Sequence, residues 1–133
     1  MSEGQPDPEK AEARPMRTRS RTEKEKAYVA DLRWTDCHLL EKRISRTMSR
    51  INSIMGSVDN VDSLERELAE FRILLEEFRK GFATLLEELN DDKDVDVANE
   101  WYSRQSDRTG DFVYKVECWI SSAKAKIEEN LES

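Results

Sequence analysis

The chain has almost none of the residues that carry chemistry. One histidine, His38, and two cysteines, Cys37 and Cys118, in 133 residues form no metal-ligand spacing, and two thiols are too few for a disulfide framework. Glycine is nearly as scarce, and none of the four residues builds a phosphate-cradling loop or a nucleophile elbow. The three prolines, Pro6, Pro8 and Pro15, all lie near the N-terminus, so no ring interrupts a helix downstream of them. No run approaches the roughly 18 to 20 apolar residues that cross a bilayer, and no signal-peptide core follows Met1. These absences lead us to expect an intracellular protein, in cytoplasm or nucleus, without a membrane role, a cofactor, a metal, a small-molecule substrate or enzymatic activity.

What the chain does have is charge and helical periodicity. Charged residues are 38% and apolar residues 37% of the total, a balance that suits elongated helices with narrow cores better than a domain built around a deep cavity. From Val61 to Leu89 the apolar residues fall at Val61, Leu64, Leu68, Phe71, Leu75, Phe78, Phe82, Leu85 and Leu89, in steps that alternate three and four without a miss. That is the seam of a helix wound against other helices. Leu74 and Leu86 broaden the stripe beyond what one partner helix covers, so at least two neighbours are expected. Gly81 costs this helix about 1 kcal/mol against Ala and marks a close approach of a neighbour.

The segments on either side read as two further helices. Thr22 and Glu25 have capping-box spacing at the start of the first, which runs to Met55 and ends at Gly56 in a left-handed cap. Its inner face reads Tyr28, Leu32, Cys37, Leu40, Ile44, Met48, Ile51 and Met55, widened by Trp34, Leu39 and Ile54. A short turn leads into the second helix, with Asp59 or Asp62 as its cap. The third helix begins near Val95, behind acids that favour its positive end. It carries Ala98, Trp101, Tyr102, Phe112, Val113, Val116, Trp119, Ile120, Ala123 and Ile127 on one face, with Leu131 at a frayed end. Thr109 keeps its phase, which favours one helix over a break at Gly110 with Asp111 as a new cap.

The expected architecture is therefore all-α: an antiparallel, up-down-up three-helix bundle or coiled coil over residues 22–133, with helices at about 22–55, 61–90 and 95–130. Residues 1–21, polar and proline-containing, read as a disordered Arg-containing leader. Asp92, Asp94 and Asp96 resemble the start of a calcium loop, but Val97 stands where the turn needs glycine and Ser103 where a bidentate acid closes the shell, so calcium binding is rejected. In this topology Cys37 and Cys118 differ in height by roughly 20 Å and cannot bond. Both thiols are expected to behave as small apolar side chains. Adjacent helical residues point about 100° apart, so Cys37 and His38 do not converge as a catalytic pair.

The net charge of −7 is unevenly distributed, with +6 from Arg14 to Arg50 and −10 from Ile51 onward. Basic and acidic helices lying side by side explain this. The sharper alternative is that Arg14, Arg17, Arg19 and Arg21 of the leader, with Lys42, Arg43, Arg46 and Arg50 of the first helix, meet nucleic acid.

Arg21-Thr22-Glu23-Lys24, the Leu64-to-Leu89 heptads, and Glu100-Trp101-Tyr102 with Cys118-Trp119-Ile120 give the chain a resemblance. It resembles the N-terminal helical, Gag-like region of Bel/Pao-type retrotransposon polyproteins, which also occurs in uncharacterised animal proteins. The resemblance covers about Arg19 to Leu131 and implies assembly or scaffolding, without catalysis. The leading expectation is thus a non-enzymatic interaction module whose packing residues are Leu64, Leu68, Phe71, Leu75, Phe78, Phe82, Leu85 and Leu89. Its partner would be a second copy or another helical protein, with a nucleic-acid-binding protein as the alternative.

Overall fold

The computed structural model describes residues 22–132, and the leader with Arg14, Arg17, Arg19 and Arg21 lies outside them. Three helices follow one another, α1 (Glu23–Ile54), α2 (Val61–Glu88) and α3 (Asp92–Glu132), with a 3₁₀ turn over Val58–Asn60 and no strand among the described residues. The fold is an all-α three-helix bundle.

The capping box forms as its spacing requires. Glu25 donates its backbone N–H to Thr22 Oγ1 at 3.1 Å, and Thr22 donates its own to Glu25 Oε1 at 2.9 Å. The other end of α1 differs from expectation, because Gly56 does not take up a left-handed backbone. Met55 closes the helix by donating its N–H to Ile51 O at 3.1 Å, and the Asn60 side chain donates to Ile54 O at 2.9 Å. An amide from the next turn therefore satisfies a terminal carbonyl that a glycine cap would have served. This has a consequence for α2. Asn60 occupies its N-cap position without a side-chain bond to it, and neither Asp59 nor Asp62 caps the helix. α2 instead grows directly out of the 3₁₀ turn, which Ser57 caps by accepting from the Asp59 N–H at 3.2 Å.

α3 starts at Asp92, three residues before the expected Val95. Asp91 is the reason, since its carboxylate accepts from Lys93 N at 2.9 Å and its carbonyl from Val95 N at 3.0 Å. The helix then runs without interruption past Gly110, so Asp111 caps nothing. Thr109 is buried at this point, and its hydroxyl donates to Gln105 O at 2.9 Å, which makes a polar residue acceptable in the core.

α2 lies between the other two helices and approaches them differently. Against α1 the backbones come close: a Cβ placed on Gly81 would stand 3.3 Å from Leu40 Cδ1. The α1 residues buried in the bundle recur every seven positions as Ala30, Cys37, Ile44 and Ile51, two of them small. Against α3, aromatic rings fill a wider gap. Phe71 meets Phe112 edge-on at 5.7 Å, Phe78 meets Trp101 at 5.5 Å, and Phe82 stacks on Tyr102 at 4.3 Å. α1 and α3 run parallel, joined at their upper halves by Trp34 against Trp101 (5.3 Å) and lower down by Arg108 donating to Ser45 Oγ at 3.3 Å.

Three residues expected on the inner face of α1 point away from the core. Tyr28 is 65% exposed, Leu39 54% and Leu32 44%. The close approach of α2 is the physical reason: it selects the positions occupied by Ala30 and Cys37 for the seam, and the larger side chains fall on the opposite face. Cys118 is likewise exposed, whereas Cys37 is buried as expected, and both thiols are free.

Candidate interaction surfaces

The seam of α2 is consumed within the chain. Leu64, Leu68, Phe71, Phe78, Phe82 and Leu85 are buried in the core, while Leu75 and Leu89 pack against it partly exposed. Leu74 is buried where the regular pattern placed Leu75, because the helix has to satisfy neighbours on two sides. These residues hold the bundle together and leave little of themselves for a partner.

The residues nearest to a chemical site are Cys37 and His38. Burial, with a contribution from the neighbouring Asp36 carboxylate, pushes the Cys37 thiol up to about 11. A thiol so held is protonated at neutral pH and is no nucleophile. His38 turns the other way, stacking on Trp34 at 5.4 Å and meeting the edge of Trp101 at 5.2 Å, with Nδ1 3.7 Å from Glu41 Oε1. It belongs to the aromatic seal between α1 and α3. Among the described residues no group of His, Cys, Asp and Glu is arranged to hold a metal ion, and no helix is long and apolar enough to cross a membrane.

The basic ridge of α1 divides into two. Arg43 reaches Glu77 at 3.6 Å, and Arg50 donates through Nε and Nη2 to Glu67 Oε1 at 3.1 and 2.9 Å, both across the α1–α2 seam. Lys124–Glu65 at 2.7 Å and Arg72–Glu117 pair α2 with α3 in the same manner. Part of the charge asymmetry is thus neutralised inside the bundle, by exposed pairs each worth about 0–1 kcal/mol. Lys42 and Arg46 point outward and make no ion pair with the described residues.

Ile73, Val97 and Tyr114 are exposed singly, and two surfaces gather several exposed apolar side chains. The first is the outer stripe of α1, where Tyr28, Leu32, Thr35, Leu39, Lys42 and Arg46 follow one another in steps of four and three, apolar above and basic below. The second is a groove of about 530 Å³ at the opposite end of the bundle, between the 3₁₀ turn, the start of α2 and the last turns of α3. Its apolar floor is Val58, Val61, Ile127 and Leu131, the last 81% exposed. Asp59, Asp62 and Glu128 stand around it, and its single cation, Lys124, is already paired with Glu65.

The 3-4 spacing of Tyr28, Leu32, Thr35 and Leu39 is legible in the sequence as a stripe of its own, two positions to either side of Ala30 and Cys37 in the heptad and so on the opposite face. The groove carries no such signal, because Val58 and Leu131 come together only when α3 outruns α2. No protein-family model, curated protein or solved structure matches this chain.

Proposed function

We propose that this chain is a non-enzymatic, coiled-coil-type interaction and assembly module that works inside the cell. Its partner is a second copy or another helical protein, and it uses no cofactor and no small-molecule substrate. The observation that carries this reading is the outer stripe of α1. Large apolar side chains scattered singly on a surface are ordinary, but Tyr28, Leu32 and Leu39 share one face of one helix while most of α2's own seam is buried within the chain. The resemblance to Gag-like helical regions supports the same reading, since assembly is the business of such regions.

Sedimentation equilibrium over a wide concentration range, at low and high salt, tests it. The wild-type chain is expected to associate as concentration rises, and Leu32→Asp with Leu39→Asp to abolish that association while the helical circular dichroism is unchanged. A monomer at every concentration would remove the self-assembly reading.

Lys42 and Arg46 favour one second reading, contact with nucleic acid, because they are exposed cations without an ion pair among the described residues. Such contact would rest on backbone phosphates and fall steeply with salt. RNA binding that is lost in Lys42→Glu with Arg46→Glu, and weakened by removal of residues 1–21, would establish it. Equal RNA affinity in those variants would exclude it.

A further inference from the structure

We infer that the two open surfaces are complementary halves of one contact: the end groove of one copy receives the outer stripe of α1 from a second copy. The inference rests on the assembly reading and names the surfaces that perform it. Both halves are apolar at the centre, with Val58, Val61, Ile127 and Leu131 on one side and Tyr28, Leu32 and Leu39 on the other. The rim of the groove and the lower end of the stripe are opposite in charge. Asp59, Asp62 and Glu128 surround the groove, and Lys42 and Arg46 continue the stripe. Two grooves facing each other would bring these carboxylates together, so groove-to-groove pairing is disfavoured, and a groove variant that still associates separates stripe-to-stripe pairing from the contact inferred here.

The bundle's own geometry requires that the contact be made between chains. Arg108 of α3 is level with Ser45 of α1, to which it donates. Ile127 lies nineteen residues below that level and Leu39 six residues above it, a separation of roughly 38 Å along the axis at 1.5 Å per residue. A chain cannot fold its groove onto its own stripe. Because the two halves are different patches on the same molecule, the contact is heterologous, and repetition produces a ring or an open filament instead of a closed two-fold dimer. With only seven apolar side chains between the two sides, each contact is smaller than a stable dimer interface, so association is expected to be weak per contact and to depend on concentration.

Sedimentation velocity on the full chain tests this through two variants and their mixture. Leu32→Asp with Leu39→Asp disables the stripe, and Glu128→Lys with Leu131→Lys disables the groove, all at exposed positions. Each variant alone is expected to stay monomeric at concentrations where the wild type forms larger species. Their equimolar mixture is expected to form a 1:1 complex and nothing larger, since one partner retains only its groove and the other only its stripe. As a second probe without apolar change, Lys42→Glu with Arg46→Glu is expected to weaken association at low salt, and Asp59→Lys with Glu128→Lys in the mixing partner to restore it. A groove variant that associates like the wild type, or a mixture that remains monomeric, would overturn the inference while leaving assembly through the stripe intact. A wild type that never associates would overturn both.

Discussion

The two seams of α2 use one helix in opposite ways. Toward α1 it presents Gly81, where a Cβ would already meet Leu40 at 3.3 Å, so the helices approach closely and little volume separates them. Toward α3 it presents Phe71, Phe78 and Phe82, which hold the neighbour off with stacked and edge-on rings. The first seam depends on the smallness of its residues and the second on their bulk. Substitutions that change volume in opposite directions should therefore damage opposite sides of α2.

The largest effect is expected on the aromatic side. Phe78 is buried and touches both Trp101 and Tyr102, at ring distances of 5.5 and 5.4 Å. Phe78→Ala removes a ring that no small side chain can replace and should cost about 3–5 kcal/mol in urea unfolding. A loss below about 1 kcal/mol would mean that α3 collapses onto α2, and that bulk is not what sets their spacing. The opposite change belongs to the close side. Gly81→Val adds atoms where a single Cβ already meets Leu40 at 3.3 Å, and should cost about 1–3 kcal/mol by overpacking. A neutral outcome would show that Leu40 moves aside freely and that the seam is not close-packed.

Cys37 sharpens the comparison by pH. Its thiol is pushed from 9.0 up to about 11 by burial and then by Asp36, so the folded state resists its ionisation. A group whose folded value is raised contributes its stability in full below the unfolded value, near pH 9. That contribution is lost as pH rises through about 11. Wild-type stability should fall more than that of Cys37→Val between about pH 8 and pH 10.5, measured by denaturant midpoint. Parallel behaviour of the two proteins would mean the seam opens readily enough to hydrate the thiolate. Thiol labelling gives the same contrast at neutral pH, with Cys118 reacting in the native protein and Cys37 only on unfolding.

The unequal seams also explain which parts of the fold are legible in the sequence. The Val61-to-Leu89 stripe is plain because its side chains are large and the spacing is regular. The burial of Ala30 is not, since a hydrophobicity pattern favours Tyr28, Leu32 and Leu39, which the structure leaves exposed. The same preference assigns Tyr28, Leu32 and Leu39 to the inner face, although their regular spacing marks them as one stripe. Local chemistry misleads where a partner comes from beyond the segment. Gly56 suggests a cap, but Asn60 reaches back to Ile54, and Asp59 is drawn into the 3₁₀ turn instead of capping α2. The acids before α3 are read correctly as a helix start, and the missing detail is that Asp91 itself provides the cap. The groove depends on how far α3 extends beyond α2, a property of assembled lengths that no single segment contains.

The smallest expected effect tests whether a glycine in this bundle has a packing role at all. Gly81 and Gly110 are both interior to helices, the first read from sequence as a close approach and the second as a possible break. Their surroundings differ: a Cβ at Gly81 meets Leu40, whereas one at Gly110 meets nothing within 4 Å. Gly110 thus carries the entropic penalty of glycine in a helix without any compensating contact. Gly110→Ala is expected to stabilise the protein by about 0.5–1 kcal/mol, read as a rise in denaturant midpoint without change of slope. A destabilising outcome would indicate that α3 needs a weak point there, so that its two halves bend independently against α1 and α2.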